Sequence, residues 1–117
     1  MSVNRLTRVN ELLKREISES LFRIMHENDF DLSAVTVTRV TTSRNLRNAR
    51  VFIAIRGHQE KRDRMLSLLR KHRVEIQHRI NANITLKYTP RLMFELDTSI
   101  EEGDHILHRL SELDNPT

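Results

Sequence analysis

The chain has 117 residues, 38% of them hydrophobic and 31% charged, with two glycines, two prolines and no cysteine. That length supports one domain with its own core, and that balance of apolar and charged residues excludes both a disordered chain and a disulfide scaffold. The net charge of +4 is unevenly spread, with +10 over residues 1–94 and −6 over residues 95–117, so a basic body is followed by an acidic tail, a distribution that suggests a polyanion partner.

Residues 3–27 carry Leu6, Val9, Leu13, Ile17, Leu21 and Ile24 at spacings of three and four, which predicts one amphipathic helix. Its other faces mix acids and bases, so it suits core packing better than a membrane surface. Asn28-Asp29-Phe30-Asp31 predicts a turn. Two strands follow, about 34–41 and 49–56, both rich in β-branched residues. Alternation puts Val35 and Val37 inside and Thr36 and Thr38 outside. In the second strand Val51, Ile53 and Ile55 share one face, and Arg50, Phe52 and Arg56 the other. Gly57 ends that strand.

Residues 58–82 predict helix with a break. Leu66, Leu69, Ile76 and Ile80 form a stripe that fails at Lys71-His72-Arg73, where an apolar residue is due. Residues 84–89 read as extended, and Thr89 precedes Pro90, which also disfavours helix. Leu92, Phe94 and Leu96 alternate as a third strand. Ser99-Ile100-Glu101-Glu102 has capping-box spacing, and a final helix over about 100–113 is expected, weakened by Gly103. The order α-β-β-α-α-β defines an α+β class. It is the order of a type II KH-like domain, with a three-stranded sheet and helices on one face. Residues 1–97 would form that domain and 98–117 the acidic tail.

Little in the chain suggests catalysis. There is no glycine-rich phosphate loop and no recognisable nucleophile–base pattern. His105 and His108 share a helix face, but no cysteine accompanies them and the nearby acids suit a solvated helix start, so no metal site is expected. No cofactor is called for. The longest wholly apolar run, Val51 to Ile55, is far short of a membrane span, and Arg5, Arg8 and Glu11 interrupt any leader. A cytoplasmic address is the expectation. Of the five aromatics, Phe22 and Phe94 are assigned to the core, Phe30 to the helix–strand corner, and Phe52 and Tyr88 are left as stacking candidates. That is too few to stack successive bases across a sheet, so phosphate contact and recognition of RNA shape fit better.

These segments resemble the ribosome-binding factor A family. Arg5, Arg8 and Val9 match its first helix, and Val35-Thr36-Val37-Thr38 with Val40 match its first strand. Ser43, Leu46, Ala49 and Val51 follow its hairpin pattern. Thr89-Pro90, Phe94, Asp97, Ser99, Glu101 and Gly103 match its C-terminal signature. The chain lacks the Gly-x-x-Gly clamp of standard KH domains. It also lacks the family's small Ala-x-Gly elbow, which would fall on His72-Arg73-Val74. Asn45 and Arg91 stand where the family commonly has acids. The resemblance implies a monomer that binds the immature small ribosomal subunit and its rRNA and assists late folding and end maturation. It also implies release coupled to a ribosome-associated GTPase. The expected RNA contacts are Arg44, Arg47 and Arg50 on the hairpin, with Lys71, His72, Arg73 and Arg79 around the elbow. The competing reading is an adaptor that docks other proteins on its helices without touching RNA.

Overall fold

The computed structural model describes residues 5–86 and 89–99. Helix α1 spans Arg5–Ile24 and buries Val9, Leu13, Ile17 and Leu21, the stripe its spacing predicts. Phe22 departs from the expectation: it is 69% exposed. One residue past Leu21 is a rotation of about 100°, which carries the ring off the stripe. A turn at Asn28 and Asp29 leads to the buried Phe30, and a short 3₁₀ turn is capped by Asp31, whose carboxylate accepts from the Ser33 amide.

Strands β1 (Val35–Thr42) and β2 (Asn48–Ile55) form an antiparallel hairpin. The alternation expected for β1 holds only as far as Val37. Val37 lies opposite Ile53, but Arg39 lies opposite Phe52, so Thr38 is an extra residue on β1. The bulge exchanges the faces. Without it Arg39 would follow Val37 towards the core; with it Val40 turns inward opposite Val51 and is buried. Thr38 does not simply face out. Its one hydroxyl proton is donated to the Asp97 carboxylate, with the Phe52 carbonyl at 3.2 Å as a longer second acceptor.

Gly57 and His58 both adopt positive φ, which turns the chain away from β2 into the helical layer. Helix α2 (Arg62–Lys71) and helix α3 (Arg73–Asn83) meet at His72, so the break predicted at Lys71-His72-Arg73 is present. The elbow needs no glycine, because His72 keeps φ −91° and no residue from 72 to 74 has positive φ. Strand β3 (Arg91–Leu96) runs parallel to β2, giving the sheet order β1-β2-β3. The three helices cover one face of this sheet, and the core lies between, with Leu13, Ile17, Ile53, Leu69, Ile76, Ile80 and Leu92 fully enclosed. This is the expected α+β, KH-like arrangement. The predicted C-terminal helix, His105, His108 and the stacking candidate Tyr88 lie outside the described residues.

Candidate nucleic-acid interface

Two features of the fold bring separate cationic segments together. The first is the hairpin closure. Ser43 N–H donates to the Asn48 carbonyl at 2.9 Å, and the Asn45 side-chain oxygen accepts from Ser43 Oγ and from the Arg47 amide. Asn45 keeps an acceptor oxygen there while removing the charge an acid would add. Leu46 takes φ +61°, folding its side chain against the core and leaving Arg44 and Arg47 exposed on the loop. The Arg47 carbonyl then accepts from the Arg91 amide at 2.8 Å, so the base of the loop adjoins the start of β3.

The second feature is the outer edge of β3. Its free backbone groups are met by helix side chains. Arg70 donates to the Phe94 carbonyl at 3.0 Å, and Gln77 donates to the Pro90 carbonyl while accepting from the Leu92 amide. Unpaired strand edges invite wrong partners, and these contacts blunt this one. They also hold the elbow over the strand. Between them opens a cleft of about 460 Å³ lined by Arg70, Arg73, Arg91 and Asn48, with Leu92, Met93, Phe94 and one acid, Glu95, along its strand side. Three guanidinium groups from α2, α3 and β3 thus line one concavity.

The other expected contacts are placed differently. Lys71 is exposed but does not line the cleft. His72 turns away from it: Nε2 bonds to Glu27 beyond the end of α1, and Nδ1 bonds to Glu75 in the first turn of α3 at 3.1 Å. Both ring nitrogens can donate to carboxylates only as the imidazolium. The Glu27 hydrogen bond, followed by the weaker Glu75 contact, raises the His72 pKa, and the same contact lowers that of Glu27. His72 therefore ties the elbow to α1, a role its expected phosphate contact did not include. Arg79 is half-buried on α3, and its Nε has no hydrogen-bond partner among the described residues. Arg50 lies on the open sheet face, where its Nε donates to Glu95 at 2.8 Å. Arg70 is absent from the sequence-derived contacts, and Arg91 entered only as a basic departure. Both owe their place to the β3 edge, which no local pattern reveals.

The family description of ribosome-binding factor A matches residues 5–110. The chain belongs to the ribosome-binding factor A family. It is 40% identical over 114 residues to ribosome-binding factor A of Opitutus terrae, covering 97% of this chain and 91% of that one. The crystal structure of ribosome-binding factor A from Thermus thermophilus superposes with a TM-score of 0.66 at 19% identity, covering 78% of this chain and 93% of that one. Homology-built coordinates of the Thermus thermophilus factor, fitted into a cryo-EM map of a 30S–ribosome-binding factor A complex, superpose with a TM-score of 0.62 at 19% identity. They cover 76% of this chain and 91% of that one. At such identities the structural likenesses establish the shared fold. Among the described residues of this family member, no helix is long and apolar enough to cross a membrane.

Proposed function

We propose that this family member binds the immature small ribosomal subunit through its rRNA and assists late maturation, including end processing, without covalent chemistry. The observation that carries this reading is the cleft at the β3 edge, where Arg70, Arg73 and Arg91 converge beside the hairpin's Arg47. Guanidinium groups bind phosphate bidentately, and contacts of this kind position a protein on RNA without reading its sequence. Arg44, exposed on the hairpin loop, and Lys71, exposed at the end of α2, extend the surface. The 30S complex of the Thermus thermophilus factor supports the small subunit as partner. Family membership supports action in the cytoplasm as a monomer that a ribosome-associated GTPase releases before translation. Residues 1–97 act as the binding unit, and the acidic stretch 98–117 opposes non-specific RNA binding.

The test is sedimentation of the full chain with purified small subunits on sucrose gradients. The wild type is expected with free small subunits and their precursors, and the double reversal Arg73→Glu/Arg91→Glu at the top of the gradient. In equilibrium binding the double variant should lose about 0.7–0.9 of salt slope per lost phosphate contact. Wild-type protein that stays at the top in low salt would refute the reading. An unchanged salt slope in the double reversal would remove the cleft from it.

A further inference from the structure

The face of the sheet turned away from the helices extends well beyond the cleft, with which it shares Arg91, Met93 and Glu95 on β3. Cross-strand register places Arg39, Phe52 and Glu95 in one row and Thr41, Arg50 and Met93 in the next. The Arg39 guanidinium carbon stands 4.1 Å from the centroid of the Phe52 ring, and that of Arg50 stands 5.3 Å from it. Both distances are within cation–π range. Met93 is 47% exposed, and no described element covers this face. The bulge at Thr38 creates the arrangement, because it is what turns Arg39 outward over Phe52.

We infer that this open face is a stacking platform for unpaired nucleotides of the RNA that the cleft holds by its phosphates. The inference rests on the proposed RNA-binding function and adds a second, chemically different contact to it. Exposed bases stack on aromatic rings and on guanidinium planes, and Phe52 with Arg39 offers both at one point. Arg91 adds its positive charge to that of Arg39, while Arg50 and the one acid in these rows, Glu95, pair with each other at 2.8 Å. Charge complementarity therefore favours a polyanion with exposed bases over an apolar protein surface, for which two partly exposed apolar side chains make a poor dock. Arg91 borders both the cleft and this face, so one strand can run from the first to the second.

The test separates stacking from phosphate contact. The full chain is titrated with a 12-nucleotide single-stranded RNA and with an abasic strand of the same length and charge. Wild type is expected to bind the base-bearing strand at least about fivefold more tightly, the low end for one stacked base. Phe52→Leu should erase that preference while leaving the salt slope unchanged, since stacking releases no counterions. Arg39→Gln, at an exposed position that leaves the core untouched, should reduce the preference as well and guards against a folding defect in Phe52→Leu. Equal affinity of wild type for the two strands overturns the inference. So does a preference that survives both substitutions, or their loss of a protein partner with RNA binding intact. The two readings fail separately: normal sedimentation with small subunits but no base preference removes the platform alone, whereas a wild type that ignores small subunits removes the proposed function.

Discussion

The two faces of β2 belong to one strand and have opposite physical characters. Ala49, Val51, Ile53 and Ile55 point inward and are buried, so that face is fixed by apolar packing. Arg50 and Phe52, one step away, are held by an ion pair to Glu95 and by cation–π contact with Arg39. Burial is worth about 25 cal/mol per Å² of apolar surface, whereas exposed ion pairs contribute between zero and about 1 kcal/mol. Stability thus resides on the inner face, which leaves the outer face and the β3 rim free to carry function.

The sharpest way to break this contrast is to place one charge on each face. Ile53→Asp buries an unpaired carboxylate in a fully enclosed site. It should cost more than about 4 kcal/mol, enough to abolish a cooperative melt in a domain of ordinary stability. Arg50→Asp, at an exposed position, should leave the melt close to that of wild type. Equal damage by circular dichroism would mean that the open face is packed as well.

The bulge decides which residues reach which face. Thr38→Val keeps the shape but removes the hydroxyl that donates to Asp97, for a cost of about 1–3 kcal/mol. The effect should depend on pH. Hydrogen bonds from Ser99 and then Thr38, with a smaller contribution from Arg39, hold the Asp97 pKa down at about 2, from 3.8. A depressed carboxylate stabilises the fold above its unfolded pKa, and that contribution is lost as pH falls from 3.8 through about 2. Thr38→Val should therefore melt with a shallower acid limb than wild type in that window. Identical acid limbs would show that Ser99 and Arg39 hold the carboxylate without Thr38.

Local patterns reveal much of this fold and little of its surface. The α1 stripe, the break at His72 and the alternation of β3 were legible because one buried side imposes a period on each element. The faces of β1 carried a cue that a single alternating register passes over: Val35 and Val37 are in odd phase and Val40 is even, which requires an extra residue between them. Phe22 misled because it is apolar, although its position one step off the stripe already placed it outside. The cleft was half legible. Arg73 and Arg47 stand out in the sequence, but Arg70 and Arg91 join them only through strand pairing and the backbone groups of an edge. His72 illustrates what sequence neighbours leave out. Its neighbours in sequence are cations, so phosphate looked natural, yet its ring is held by Glu27, 45 residues away.

The β3 rim lies between the two faces in energy as well as in space. Gln77→Ala would leave the Pro90 carbonyl and the Leu92 amide unpaired in a part-buried setting, for about 1–2 kcal/mol. It should also raise aggregation by freeing the strand edge. Gln77→Glu keeps the acceptor for Leu92 but sets a carboxylate against the Pro90 carbonyl, so it should not restore the wild-type melting temperature. Full rescue by Glu would show that only the Leu92 contact matters.

The smallest effect is expected at the elbow, and pH is the means to resolve it. His72 faces Glu27 from the segment after α1 and Glu75 from α3, with Lys71 close enough to act on Glu27. Its folded pKa is raised above 6.5, so its contribution is fully present below 6.5 and is lost as pH rises through the folded value. Glu27 has the opposite sign: its lowered pKa gives a contribution present above 4.5 that is lost in acid. The pair is therefore strongest between those limits. In His72→Gln the amide can still bond to one carboxylate, but the alkaline loss should vanish. Melting temperatures of wild type should decline from pH 6.5 upwards while those of the variant stay level, with a difference at pH 6 of no more than about 1 kcal/mol, since Glu75 is largely exposed. Because the ring ties α1 to the elbow that carries Arg73, RNA affinity of wild type should follow the same decline and that of the variant should not. Parallel pH profiles for the two proteins would show that the contact only fills space, and that the elbow is set by packing of Leu69 and Ile76 alone.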